Sequence, residues 1–478
     1  MKYEELKERF TRAGQEHVFG YWDELEPVER EILLNEAGEI DMDELESLLG
    51  AGVEGDQDAA SPYSGELEPP PYISLPEQGG NAKAWAHAAK LGEAVLEEGK
   101  VAAFTVAGGQ GTRLGFNGPK GTFPVTPIKR KSLFQVFAEK ILAGQRDWGR
   151  SIPWFIMTSH ANHEETETFF QNNSFFGLPP QQVFLFRQGR MPAVDFNGKI
   201  LLEGRGRIAM SPDGHGGSLR ALKRSGSLER MEDQGIEVIS YFQVDNPLAR
   251  ILDPAFIGFH VEAGSSLSSK MLPKAYAEEK MGVFCRSEGK LRVVEYSDLP
   301  PEVAERRNED GRLVFDAGNM AIHLFSPGFV EKMAGGAGGS AGKLPFHKAR
   351  KKIPCLTPSG EFIEPEKPNG IKFEMFVFDA LPHADNPIVV ETCRVEEFAP
   401  VKNAEGNDSP ETCRENQLKL FARWFDSVGQ SLPVDGNGVP KITVEISPLF
   451  AWGEDSFRRK WNSLEVKPEP RDGLYLEG

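Results

Sequence analysis

This 478-residue chain predicts an α/β fold: three layers around a mostly parallel central sheet, a helical N-terminal segment and a small α+β module at the C-terminus. Two observations predict it. Between about residues 80 and 400, short apolar strands alternate with helix-like stretches, a rhythm that builds a parallel sheet covered by helices. The first of those strands, Val101–Val106, runs directly into AGGQGTRLGFNGPKG, residues 107–121. Open α/β sheets bind their ligands at such strand ends.

From residue 1 to about 60, apolar side chains recur three and four apart, as in YWDEL (21–25), REILL (30–34) and MDELESLL (42–49), the spacing of helices. Asp41-Met42-Asp43 has the opening of a calcium loop, but Glu46 stands where that loop needs glycine, so this is a solvated helix face. Residues 55–71, GDQDAASPYSGELEPPP, form a polar, proline-rich linker or extended arm. Strands are expected at 101–106, 154–158, 182–186 and 236–244, and helices at 83–96, 133–146, 164–171 and 219–234. A second glycine-rich stretch, 335–342, carries no cation and follows no strand, and reads as a flexible surface loop. A helix at 417–428 and a strand at 441–446 make the C-terminal module. The expected division is therefore 1–75, 76–400 and 401–478.

Composition limits the partners. With 72 acidic against 54 basic residues the chain carries a formal charge of −18, which opposes adhesion to nucleic acid or to an anionic membrane surface. It leaves room for a small anionic ligand in a locally basic pocket. Four scattered cysteines, Cys285, Cys355, Cys393 and Cys413, contain no C-x-x-C pair and suit reduced thiols in a cytosolic protein. The N-terminus is charged and helical in pattern rather than a signal peptide, and no apolar run approaches the ~20 residues of a membrane span. A cytoplasmic protein is expected, with no protein partner evident.

Residues 107–121 hold six glycines in fifteen, and each glycine loses more conformational freedom on folding than any other residue. What compensates is close approach: converging backbone N–H groups with no Cβ in the way bind phosphate. The dinucleotide fingerprint G-x-G-x-x-G fails, because after Gly109 and Gly111 the next glycine, Gly115, comes one residue late. The Walker motif fails too, because Lys120 follows a proline. Arg113 and Lys120 favour an anion site over a structural turn, since a turn has no use for two cations beside its amides. Asp245 closes the apolar strand FQVD, at the sheet end where ligands bind, and one carboxylate there suits magnesium completed by phosphate oxygens. His160 and His163 open a polar helix, and His260 and His323 sit at strand or helix ends; none of them is a candidate ligand.

GGQGTRLG followed by PKG resembles the signature of the UDP-sugar pyrophosphorylase (UTP:sugar-1-phosphate uridylyltransferase) family, its N-acetylglucosamine branch most closely. Matching segments recur in family order: WFIMTS (154–159), QG (188–189), PDGHGG (212–217), VDN (244–246), VEYS (294–297), AGN (317–319), KPNGIK (367–372), VKNA (401–404) and EISPL (445–449). The resemblance implies a Rossmann-like, GT-A-like nucleotidyltransferase domain. It also implies in-line attack of a sugar 1-phosphate on the α-phosphorus of UTP, with magnesium present and pyrophosphate leaving. It assigns Arg113, Lys120 and Lys402 to the phosphates, Asp245 to the metal, and Gly108, Gly109, Gly111, Gln188 and Gly214 to UTP. His215, Gly282, Glu295 and Asn319 fall to the sugar; Phe376 and Phe378 line its acyl side or pack the core with Phe373. Two departures bear on the sugar: His215 replaces the asparagine of the N-acetylglucosamine branch, and Ile322 replaces a polar residue. Glucose or galactose 1-phosphate, or broad specificity, is the alternative sugar reading, and a UTP or UDP-sugar sensor without turnover the alternative class.

Overall fold

A computed structural model describes residues 2–50, 66–335 and 344–478. The first part of the expected linker, 55–65, and residues 336–342 of the second glycine-rich stretch lie outside the described residues. The chain forms two compact units. The larger comprises Ser64–Arg187, Ala221–Gly342 and Ala380–Gly478; the smaller comprises Met1–Tyr63, Gln188–Arg220 and Lys343–Asp379.

The larger unit is built on a nine-stranded sheet. Its strands are β1 (Val101–Val106), β2 (Trp154–Thr158), β3 (Val183–Arg187), β4 (Val238–Gln243), β5 (Leu267–Pro273), β6 (Val283–Ser287), β7 (Lys290–Val294), β8 (Ala317–Phe325) and β9 (Ile388–Glu391). The order along the sheet is β7-β6-β8-β4-β1-β2-β3, and β5 pairs with both β8 and β9. The centre, β4-β1-β2-β3, is parallel, with Val101 opposite Val238 and Phe104 opposite Phe155. These strands read as continuous apolar runs because a parallel sheet is covered on both faces. Phe134, Phe137 and Ile141 of the helix Leu133–Trp148 pack there against Trp154 and Phe242. β8 runs antiparallel to β4, with His323 opposite Tyr241.

Local chemistry sets the helix ends. Asn81 accepts from the N–H groups of Lys83 and Ala84 to start Ala82–Glu97, Ser132 caps Leu133–Trp148, and Ser409 caps Pro410–Asp426. The expected helix over 219–234 is two helices, Gly217–Arg224 and Ser227–Asp233, because Gly226 turns left-handed between them at φ 72°. The C-terminal residues add the parallel pair Val444–Ile446 and Leu474–Leu476 and the helix Glu454–Ser463. All four cysteines are free thiols.

In the smaller unit the helices Tyr3–Arg12, Pro27–Glu39 and Met42–Gly50 bury Leu6, Phe10, Leu33 and Leu45 with Val194, Ile208, Ile371 and Phe373. Buried Glu36 fixes the register, accepting from Ile208 N–H at 2.8 Å and from Arg207 Nε at 3.1 Å. No helix among the described residues is long and apolar enough to cross a membrane.

One crossing in the larger unit leaves no tolerance. Where Ala82–Glu97 passes Pro254–Glu262, a Cβ on Gly258 would overlap the Ala88 carbonyl, and one on Gly92 the Pro254 carbonyl. Gly258→Ala should therefore lower the unfolding free energy by about 1–3 kcal/mol, the usual cost of overpacking. Thermal unfolding would read it, and an unchanged midpoint would show that the helices slide apart freely.

Candidate active site

The glycine-rich loop leaves β1 with its carbonyls tied down. Asn162, only 1% exposed, donates its side-chain N–H groups to Ala107 O at 3.0 Å and Gly109 O at 3.2 Å. Two backbone bonds cross the loop, Gly111 N–H to Gly118 O at 2.9 Å and Lys120 N–H to Gly109 O at 3.0 Å. Close packing accounts for two of the glycines: a Cβ on Gly111 would press into the Phe116 ring, and one on Gly121 would overlap Phe134. Gly109 is exposed, and a Cβ there would meet nothing nearer than Lys120 Cε at 3.9 Å, which leaves its backbone approachable. Arg113 is exposed on the same loop and makes no side-chain hydrogen bond or ion pair among the described residues.

Asp245 follows the end of β4, and its carboxylate meets the Lys120 ammonium at 3.7 Å, longer than a hydrogen bond. Asp245 O accepts from Val401 N–H at 2.9 Å, which brings the segment carrying Lys402 to this strand end. Asn246 fastens the same segment twice, donating to Glu397 O at 2.6 Å and accepting from Ala399 N–H at 3.0 Å. Lys140 holds the turn from behind with 2.7 Å bonds to Pro247 O and Ala249 O, and burial pushes its ammonium down to about 7. Lys402 lies 3.9 Å from the Asp408 carboxylate, whose protonation burial raises against the pull of Lys402.

Three of the sequence-predicted sugar residues meet at the other side of this sheet's centre. Asn319 on β8 donates its N–H to Gly282 O at 2.8 Å, and a Cβ on Gly282 would sit 3.0 Å from Glu295 Oε1. Ala321, at φ 56°, donates to Asn319 Oδ1 at 2.9 Å beside the irregularity in the β5–β8 pairing. Ile322 is buried in the hydrophobic core at 2% exposure, so its replacement of a polar residue changes packing and not a ligand contact.

Gln188, Gly214 and His215 belong to the smaller unit. Gly214 has φ 83°, and a Cβ on it would overlap the Met375 backbone. Gly216 N–H and Met375 N–H lock the turn by donating to Met375 O and Asp213 O, both at 2.8 Å. His215 Nδ1 accepts from Val377 N–H at 3.2 Å, so the neutral ring carries its proton on Nε2. The imidazole stacks on Phe376, which in turn stacks on His347, while Phe378 is buried beside them. Burial, with His347 next in effect, pushes His215 down to about 4.

Sequence reasoning missed the residues that hold the others. Asn162 lies in HANHE, which the sequence marks only as the opening of a polar helix, and His163 there bonds Thr158 Oγ1. The signal for Asn162 was its position between a buried strand and a helix, where a side-chain amide can satisfy loop carbonyls. Lys140 gave none, being one more lysine on a helix. His260 and His323 pair with Ser268 and Ser269 inside the core.

An α/β protein with a glycine-rich phosphate-type loop at the end of its first parallel strand is the class that this geometry defines. The chain belongs to the UTP–glucose-1-phosphate uridylyltransferase family, whose profile matches residues 80–418. It is 39% identical to the human UDP-N-acetylhexosamine pyrophosphorylase-like protein 1, over 94% of this chain and 93% of that one. Against the Saccharomyces cerevisiae UDP-N-acetylglucosamine pyrophosphorylase it is 34% identical, with 99% of each chain covered. Its structure superposes with a TM-score of 0.81 on a Trypanosoma brucei UDP-N-acetylglucosamine pyrophosphorylase solved with an inhibitor, at 29% identity over 98% of this chain and 97% of that one.

The His215 environment has a pH consequence. Its imidazole titrates near 4 in the folded protein, against about 6.5 in the unfolded chain. As pH falls the unfolded chain takes up the proton first, so His215's contribution is complete above about 6.5 and lost progressively toward 4. Spread over that window the loss is about 3 kcal/mol at most. His215→Asn should show a correspondingly shallower fall in urea midpoint between pH 7 and pH 4.5. The same slope in both proteins would show that the ring is not held neutral.

Proposed function

We propose that the protein joins UTP to N-acetylglucosamine 1-phosphate, releasing pyrophosphate and forming UDP-N-acetylglucosamine. One observation carries the reading: similarity to an enzyme of that name extends over 99% of the chain, the glycine-rich loop lying within the span. The sugar-phosphate oxygen attacks the α-phosphorus in line, and pyrophosphate departs from the opposite side. No covalent intermediate with the enzyme is needed, so the protein's work is positioning and charge neutralisation.

The residues fit those tasks. The amides of Gly108 and Gly109 receive phosphate oxygens, Gly111, whose own N–H is spent on Gly118 O, keeps the loop close to UTP, and Arg113, whose side chain makes no hydrogen bond or ion pair among the described residues, spans two phosphate oxygens as charge builds on the leaving group. Lys120 adds a compact charge beside Asp245, and Lys402 serves the α-phosphate. Gln188 and Gly214 read uracil; His215, Gly282, Glu295 and Asn319 receive the sugar. Magnesium fits the donor set: among the described residues no three acidic, histidine or cysteine side chains cluster to hold a metal alone. Asp245, whose ion pair is longer than a hydrogen bond, offers the single carboxylate that magnesium combines with phosphate oxygens. Bound there, the ion would neutralise charge between neighbouring phosphates.

A second reading of the sugar has its own observation. His215 offers one fixed donor where asparagine offers both a donor and an acceptor, which favours glucose or galactose 1-phosphate, or broad specificity.

The test is pyrophosphate release with magnesium, UTP and a panel of sugar 1-phosphates. N-acetylglucosamine 1-phosphate should give the highest kcat/KM; a higher value for glucose 1-phosphate establishes the second reading, and no release with any sugar refutes turnover. Arg113→Ala should lower kcat by ~10²-fold, as for a lost transition-state donor. Unchanged turnover would remove Arg113 from the reaction.

A further inference from the structure

The segment carrying Lys402 closes on Asp408. The Asp408 carbonyl accepts from Lys402 N–H at 2.6 Å and from Asn403 N–H at 3.1 Å, and Asn403 Nδ2 spans the same loop to Asn407 O at 2.8 Å. To present that carbonyl, Asp408 adopts φ 56°, the left-handed region that glycine enters most readily and asparagine tolerates. The backbone task therefore needs no carboxylate. Yet a carboxylate is there, half-buried, in the field of Asp245, a like charge that disfavours it. Lys402 offsets it from 3.9 Å, with a smaller contribution from Arg394, while Glu279 adds to the repulsion.

The arrangement repeats at the strand end. Lys120 stands 3.7 Å from Asp245 and Lys402 stands 3.9 Å from Asp408. Each ammonium is near enough to be oriented by its carboxylate and too far to spend a hydrogen bond on it. Donors stay available for phosphate oxygens while the charges are held in place.

We propose that Asp408 is a positioning residue of the phosphate site: its carboxylate is the resting counter-ion that aims Lys402 and yields it to the substrate phosphate. This rests on the role given above to Lys402. Losing the carboxylate leaves the lysine misdirected in the transition state, and also removes an anion that repels the nucleotide. Turnover and binding then move apart.

Asp408→Asn tests this, because asparagine keeps the carbonyl and accepts the left-handed conformation; Asp408→Gly relaxes that backbone further. Both variants should unfold no earlier than the parent protein. Asp408→Asn should lower kcat about ten-fold while KM for UTP stays level or falls, a split that a merely structural turn residue does not give. In a Lys402→Ala background the same change should alter kcat less than about two-fold, since coupled residues are not additive. Turnover within about two-fold of the parent, or equal losses in both backgrounds, overturns the proposal. Lys402→Ala alone reports on the earlier reading. If it is harmless, both fall; if it is harmful and Asp408→Asn is not, only the role of Asp408 falls.

Discussion

The bond from the Asn162 side chain to the carbonyls of Ala107 and Gly109 is the interaction on which the candidate site rests. A loop this rich in glycine has few side chains with which to hold a shape, and its backbone freedom favours disorder. Its conformation has to be imposed by hydrogen bonds. Asn162 supplies two from a buried position between β2 and the next helix, and the loop supplies others across itself. Amides left over are then held where a ligand would meet them, and a preorganised donor costs little to use when the ligand arrives.

A second constraint is charge. The chain is acidic overall, with a formal charge of −18, so an anionic substrate meets a repulsive background at long range. The strand end answers locally. Lys120 lies 3.7 Å from Asp245 and Lys402 3.9 Å from Asp408, both longer than a hydrogen bond, and the exposed Arg113 makes no side-chain hydrogen bond or ion pair among the described residues. The turn beneath is braced by Asn246 on one side and Lys140 on the other. Rigidity in the backbone thus lets weak, long ion pairs suffice at the surface.

Much of this was legible in the sequence. β1 and β2 fall on the residues expected of them, because buried parallel strands are continuous apolar runs bounded by glycine or polar residues. The helices at 83–96 and 133–146 appear with one or two residues added at the ends, where caps decide. The break at Gly226 was missed, since one glycine inside a periodic stretch does not announce a left-handed turn. Assembly of the smaller unit from three separated stretches, 1–63, 188–220 and 343–379, had no local sign, because tertiary burial joins them. Candidate site residues could be read from motifs, but the contacts that brace those motifs could not. Asn162, Asn246 and Asp408 are ordinary polar residues in sequence, and only their partners make them special.

His215 shows how such bracing limits what a side chain has left to offer. With Nδ1 accepting from Val377 N–H, the neutral ring has one hydrogen-bonding edge left, the Nε2–H, and that edge only donates. An asparagine in the same place would keep a carbonyl and an amide and could serve a substrate group of either kind. The stack on Phe376 fixes the plane of the imidazole, and its low proton affinity keeps it uncharged near neutral pH. A fixed donor can satisfy a hydroxyl or an acyl oxygen, but it leaves an amide N–H without an acceptor. Asn319, in the larger unit, is committed in the same way, its side-chain oxygen accepting from Ala321 N–H.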